Sequence, residues 1–496
     1  MVIGYCFNAY AYDNVTTHKK VTEKAVDNSQ LRNYLKQNFG YASGYEEKIR
    51  GKRIIDWLIE GSYLEDILAC RASNHFHNPL LPWGQSYMTD QPGWIDEACL
   101  DWKPWFSNIT WATRFLAPPP DGAKTTFGLY KTYDWDTARQ VYYRAITNTD
   151  KFYRDMAFTD TFVTLGHIIH LLQDMSVPAH TRNDFQSHLF INNNNPFDRY
   201  QPFEKYVEIN PTLVATANPA GNFPSFTNTR LTDFWDTNQY TGSNPSTGAN
   251  IGLAEFSNAN YFSNYTILSN GPTLEHNFPR PSINNAEYQI CTDYQHNSSE
   301  KRKYVSRKSK GACPQLSTER KADHFATASL INAESLITNS NISNLRLWLD
   351  NNVHNTYGKD IIPRAVGYSA GLLDYFFRGS IEITLPSNGV YSLTDNPAEG
   401  FKQLTLLARN TTSNGDEMND GSIELVVGYK RAQTDPFQSG FVPVDGEFTY
   451  IVVPEANNIR TITKNGSTEL TFNIAQGLPL DAKRLFSGSI QRMAWQ

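Results

Sequence analysis

The chain has no apolar run of 18 residues or more, which excludes a membrane-spanning helix of the usual length. Charge is sparse, at 19% of residues, and slightly acidic, with a net charge of −6. That balance excludes both a disordered polyelectrolyte and a protein drawn to polyanions by bulk charge. No tandem repeat occurs, which excludes a solenoid or a propeller. Cysteines number five, at Cys6, Cys70, Cys99, Cys291 and Cys313, and none form a C-x2-C pair. A thiolate zinc finger is therefore excluded.

What is present points to a large, structured, exported chain. Its 496 residues suffice for two or three domains, and 40% of them are hydrophobic. The first eleven residues carry no charge and end in Ala9-Tyr10-Ala11, an A-x-A-like cleavage site. We read residues 1–11 as a signal-peptide remnant and expect a secreted or periplasmic protein. Without that leader four cysteines remain, an even number suited to an oxidising compartment. Cys291 and Cys313 close a local loop and are expected to pair, which leaves Cys70 with Cys99.

Residues 14 to about 210 carry helix-spaced apolar positions, notably over Val21 to Leu35, Lys52 to Leu68 and Trp135 to Thr147. Residues 211–317 are rich in Asn, Ser, Thr, Pro and Gly and read as an irregular insertion, with one helix near Gly252 to Phe256. Helical periodicity returns from Thr318 to Phe377, closing on Arg364 to Phe377. After Gly379 the pattern alternates in Ile381–Leu385, Leu404–Ala408, Ile423–Val427 and Tyr450–Val453. The expected fold class is a mainly α catalytic domain over 12–378 followed by an all-β sandwich, an accessory domain, over 380–496.

The segment His170-Leu171-Leu172-Gln173-Asp174-Met175-Ser176-Val177-Pro178-Ala179-His180 carries the most chemistry. It follows an apolar helical run, and residues four apart share a helix face, so His170 and Asp174 can grip one ion. Pro178 is expected to end that helix and let His180 turn back. Imidazole and carboxylate are the usual ligands of catalytic zinc. Further candidates stand at element ends: His18, an acid in the segment Glu60 to Asp66, His75 and His77 around Phe76, then His188 and Glu204.

The order of these residues resembles that of the zinc-dependent phospholipase C family, which includes the single-strand-specific nucleases. The resemblance covers roughly residues 12 to 210 and, more loosely, the helices to 378. It implies a helical domain holding up to three zinc ions. The matching ligands would be the backbone of Tyr12 as a new N-terminus, His18, Asp66, His75, His170, Asp174 and His180. Glu204 in Phe203-Glu204-Lys205-Tyr206-Val207 fits the last acid. The family's histidine four residues before that acid is here Tyr200, and His188 is its substitute. His77 and His167 are extra to the pattern.

Clustered zinc ions lower a bound water's pKa and hold phosphoryl oxygens, so the resemblance implies a zinc-dependent phosphodiesterase. Asp174 is its expected bridging carboxylate, and Asp66 its ligand, its general base, or both. Phospholipid or a membrane surface is the expected partner of a monomer, because some family members carry a C-terminal β domain for it. The nuclease alternative would draw on Trp83, Trp94, Trp102, Trp105 and Trp111 as stacking platforms, with the basic run 301–308 as a phosphate track. A third reading is a secreted binding protein with a degenerate metal site, on the strength of Tyr200.

Overall fold

A computed structural model describes residues 16–67, 69–90, 93–99, 105–113, 133–189, 202–219, 230–242, 251–268, 286–294, 299–313, 322–328, 347–412, 418–429, 449–480 and 486–492. The fold divides into two compact units. One draws on described residues within 1–30, 55–138 and 162–373, the other on those within 31–54, 139–161 and 374–496.

The first unit is mainly helical. Its site-bearing helices are α1 (Thr17–Asn28), α2 (Ile54–Leu64), the final part of α3 (Lys151–Asp174), α4 (Pro178–Thr181), α5 (Phe185–Leu189) and α6 (Phe203–Ile209). Two later helices, α7 (Leu253–Asn260) and α8 (Asn351–Phe376), complete this scaffold. The expected run from Val21 to Leu35 is two helices rather than one. Ser29 takes an extended backbone, its Oγ donates to Val26 O at 2.9 Å, and a new helix starts at Leu31.

Two glycines set the crossing of α2 with α3. A Cβ on Gly61 would lie 2.0 Å from Val163 O, and one on Gly166 would lie 2.2 Å from Leu58 O. Backbone therefore touches backbone, a closeness that only glycine permits. This contact brings the end of α2 against the end of α3, where Asp66 and His170 must meet.

Helix α3 ends at Asp174, four residues before Pro178. This corrects the expectation that the proline ends it. Successive turns, with Ser176 N donating to Gln173 O and Val177 N to Asp174 O, release the chain. Pro178 instead opens α4 at its first position, where a missing N–H costs nothing.

The stretch 211–317 is also more ordered than expected. Besides α7 it holds β1 (Tyr288–Tyr294) and β2 (Lys301–Arg307), which join β3 (Ala326–Ala328) and β4 (Leu347–Trp348) in an antiparallel sheet of order β1-β2-β3-β4. Tyr288, Tyr304, Val305 and Phe325 from this region share one buried cluster with Val353, Ile361 and Val366 of α8. Asn-rich loops hid these short elements from periodicity.

The second unit contains the expected sandwich. Strands β5 (Ile381–Thr384), β6 (Phe401–Asn410), β7 (Ser422–Tyr429), β8 (Thr449–Pro454), β9 (Thr468–Leu478) and β10 (Phe486–Arg492) form two antiparallel sheets, β9-β6-β5 and β8-β7-β10. Leu404 and Phe472 from one sheet meet Leu425, Val427 and Ile451 from the other in a common core. Two helical segments from early in the chain belong to the same unit. Tyr143 donates to Glu424 Oε2 at 2.7 Å, and Arg154 lies 3.8 Å from the Tyr450 ring centre.

Candidate metal centre

Eight of the nine expected ligands fall within the described residues, and all eight are buried in the first unit. The ninth, Tyr12, lies outside the described residues, as do the expected leader and Tyr200. The eight form three groups whose ligand atoms lie within 4.8 Å of one another: His18, His170 and Asp174; Asp66, His75 and His170; His180, His188 and Glu204.

Local structure explains each placement. His170 and Asp174 occupy the last turn of α3, on one face, where the helix dipole favours a cation. His18 sits one residue into α1 and stacks on His170 with ring centres 3.7 Å apart. Asp66 lies two residues past the end of α2. The turn Ala69–Asn74 then delivers His75, and the Cys70–Cys99 disulfide ties this turn down. The second expected pair, Cys291–Cys313, is also bonded. His180 rides on α4, His188 on α5, and Glu204 in the first turn of α6.

Hydrogen bonds fix the ring tautomers. His18 Nδ1 donates to Gln173 Oε1 at 2.7 Å, His170 Nδ1 to Ser62 O at 2.7 Å, and His180 Nδ1 to His75 O at 3.0 Å. In a neutral imidazole the second nitrogen is then a lone-pair acceptor. Those Nε2 atoms point at carboxylates: His18 at Asp174 Oδ1 (3.4 Å), His170 at Asp66 Oδ1 (3.3 Å) and at Asp174 Oδ2 (3.5 Å), His180 at Glu204 Oε1 (3.3 Å). His75 presents Nδ1 to Asp174 Oδ2 (3.0 Å) and Asp66 Oδ1 (3.4 Å). Lone pairs thus converge on lone pairs.

Only a proton or a metal cation resolves such an arrangement. Both oxygens of Asp66, both of Asp174, and Nε2 of His170 and His188 make no hydrogen bond among the described residues. Buried polar atoms are seldom left so. Protons satisfy only part of the set. Burial opposes charge on His75, yet Asp174, Glu65 and Asp66 outweigh it and raise its pKa to about 10. His18 goes the other way: burial and the neighbouring His170 lower it. Stacked imidazoles cannot all be protonated, whereas divalent cations coordinate every lone pair at once. The donor set, imidazoles and carboxylates with no thiolate, fits zinc or a similar divalent ion.

Asp174 and Glu204 are held ionised. Burial works against the charge on Asp174, but His170, His180 and His75 drive its pKa well below the usual range. Burial likewise opposes charge on Glu204, while His188 and His180 bring its pKa to about 2. The His188 Nδ1 to Glu204 Oε2 distance is 2.9 Å.

No protein-family model and no curated protein sequence matches the chain. Among solved structures, the alpha toxin from Clostridium absonum aligns over 96% of this chain and 87% of the toxin, at 11% identity and a TM-score of 0.26. A Clostridium perfringens alpha-toxin from an avian strain aligns over the same shares at 10% identity and a TM-score of 0.23.

Two histidines extra to the pattern serve other partners. His77 Nε2 is 2.9 Å from Asp236 Oδ2, which also accepts from Trp83 Nε1 at 2.8 Å. His167 Nδ1 hydrogen-bonds Glu65 Oε2, and its ring stacks on Tyr133. Sequence reasoning missed Glu65 and Gln173 as partners of ligands. Their signals were position alone: Glu65 adjoins Asp66, and Gln173 lies between His170 and Asp174.

Proposed function

We propose that this chain is a secreted zinc-dependent phosphodiesterase, a phospholipase C that cleaves phospholipid phosphodiester bonds. One observation carries the reading. Asp174 lies within 3.5 Å of nitrogens from His18, His75 and His170 while neither of its oxygens makes a hydrogen bond among the described residues. A carboxylate so placed would hold a cation jointly with His18 and His170 on one side and with His75 on the other. The third group, His180, His188 and Glu204, adjoins them, with the rings of His75 and His180 6.4 Å apart. The order of motifs and their resemblance to the zinc phospholipases supply the substrate class.

Zinc held by these groups would supply electrophilic stabilisation of the phosphoryl oxygens and a lowered pKa for the attacking water. The chain's own residues supply the rest. Asp174 holds the first two groups in register. Asp66 is the carboxylate that can take a proton from water: its oxygens are engaged by no donor among the described residues and it belongs to a single group, whereas Asp174 serves two and Glu65 is held by Arg71 and Trp111. The two disulfides support export to an oxidising compartment. No described helix is long and apolar enough to cross a membrane, so contact with phospholipid would be made from the surface.

The nuclease alternative draws less support. Trp83, Trp105 and Trp111 are buried and offer no stacking platform. The basic run is a strand whose arginines are paired, Arg302 with Asp350 and Arg307 with Asp323 and Asp360. The degenerate-site reading loses its motive, since His188 stands beside Glu204. The test is a panel of phosphatidylcholine vesicles and single-stranded DNA, with Asp66→Asn as control. Headgroup release that falls about 10²-fold or more in the variant supports the reading. Cleavage of DNA without cleavage of lipid overturns it.

A further inference from the structure

His75 is anchored differently from its neighbours. His18, His170 and His180 each fix Nδ1 on a neutral acceptor, an amide oxygen or a backbone carbonyl, and turn Nε2 toward the carboxylates. His75 is inverted. Its Nδ1 faces Asp174 and Asp66, and its Nε2 lies 3.6 Å from Glu65 Oε1. That contact is longer than a hydrogen bond, and Nε2 makes none among the described residues, so the group standing behind the ring is a fully buried carboxylate rather than a bonded neutral acceptor.

Glu65 is in turn heavily constrained. Arg71 Nε and Trp111 Nε1 each donate to Oε1 at 3.2 Å. Arg71 Nη2 donates to Oε2 at 2.5 Å, and His167 Nδ1 also bonds Oε2. The arginine balances the charge, so the carboxylate persists in a site where an unpaired one would be costly. With so many donors around it the side chain has no freedom to rotate. Burying a Glu–Arg pair rarely adds stability over apolar packing, which argues for a purpose beyond the fold.

We infer that Glu65 is the positioning residue of His75: it holds the ring as the Nε2–H tautomer, aims Nδ1 at the position between Asp66 and His170, and raises the basicity of that one ligand. The inference rests on the metal-centre reading above and deepens it. A carboxylate behind a metal-bound imidazole tunes affinity by about 10–100-fold. Because His18, His170 and His180 use neutral acceptors, and His188 pairs with Glu204 of its own group, the effect belongs to the one cation that His75 would hold.

The test is zinc titration of the full chain against a chromophoric chelator, in wild type and in Glu65→Gln/Arg71→Met, which removes both charges together. One cation per chain should bind about 10–100-fold more weakly in the variant, with the others unchanged and near-UV circular dichroism preserved. Equal weakening of every cation, or no weakening, overturns the inference while leaving the metal centre intact. No zinc on the wild type overturns the reading beneath it. A second measurement needs no altered Glu65. Nitrogen-15 spectra of the zinc-loaded wild type, with His75 assigned through His75→Gln, should show a protonated Nε2 and a ligating Nδ1. The reverse assignment overturns the inference.

Discussion

Gly166→Ala is the sharpest test of how the fold builds the site. Gly166 lies inside α3, and replacing a helix-interior glycine with alanine ordinarily stabilises by about 0.5–1 kcal/mol. Here the sign should reverse. The new Cβ would sit 2.2 Å from Leu58 O, 2.7 Å from Ser62 N and 2.8 Å from Gly61 Cα, all of them backbone atoms. No side chain can swing aside, so α2 and α3 must part by about 1 Å to restore ordinary contact. Overpacking of this kind costs about 1–3 kcal/mol, enough to exceed the propensity gain. The same movement carries Ser62 O away from His170 Nδ1, a bond of 2.7 Å. Loss of that anchor should weaken zinc by about 10-fold or more. Urea unfolding and chelator competition measure the two effects. A variant as stable as wild type, with unchanged zinc affinity, would refute the claim that this glycine contact positions the ligands.

Three other outcomes follow from the geometry. Removing zinc with a chelator should lower the unfolding free energy, by about 2.7 kcal/mol per site when free zinc had stood a hundredfold above Kd, and calorimetry reads the drop. Glu255 accepts from the backbone N–H groups of Thr237, Gln239, Tyr240 and Gly252 and from the Thr237 hydroxyl, at 2.7–2.9 Å. Glu255→Ala leaves these donors stranded and should cost about 3 kcal/mol or more by urea unfolding. His354 is fully buried against Phe203 and Tyr206, and burial lowers its pKa to about 3. The unfolded chain takes up this proton first, so the contribution is complete above pH of about 6.5. It is then lost as pH falls toward 3, at about 1.4 kcal/mol per unit. With chelator present throughout, His354→Phe should flatten that part of the stability profile relative to wild type. Parallel profiles would contradict it.

How much of this was legible in the sequence depended on the reach of each signal. Helix spacing put His170 with Asp174, since both lie on one turn. Alternation marked β5 to β8, because half-buried strands must alternate. Loop closure paired the cysteines. The contacts that complete the centre cross long separations and leave no local trace. His18 meets Gln173 across 155 residues, and His170 meets Ser62 across 108. Glu65 and Asp66 are adjacent acids with different surroundings, one among donors and one without, and only tertiary packing tells them apart. The end of α3 was misplaced for a related reason: a proline forbids helix before it but also favours a new helix after it.

Asp66, Asp174, Glu204, His18, His75, His170, His180 and His188 should hold metal. The most direct measurement is metal content by mass spectrometry of chain purified from an oxidising compartment in zinc-containing buffer, beside Asp174→Asn. Two or three zinc ions per chain are expected in the wild type and fewer in the variant, with both proteins folded. A folded wild type without stoichiometric metal would contradict it.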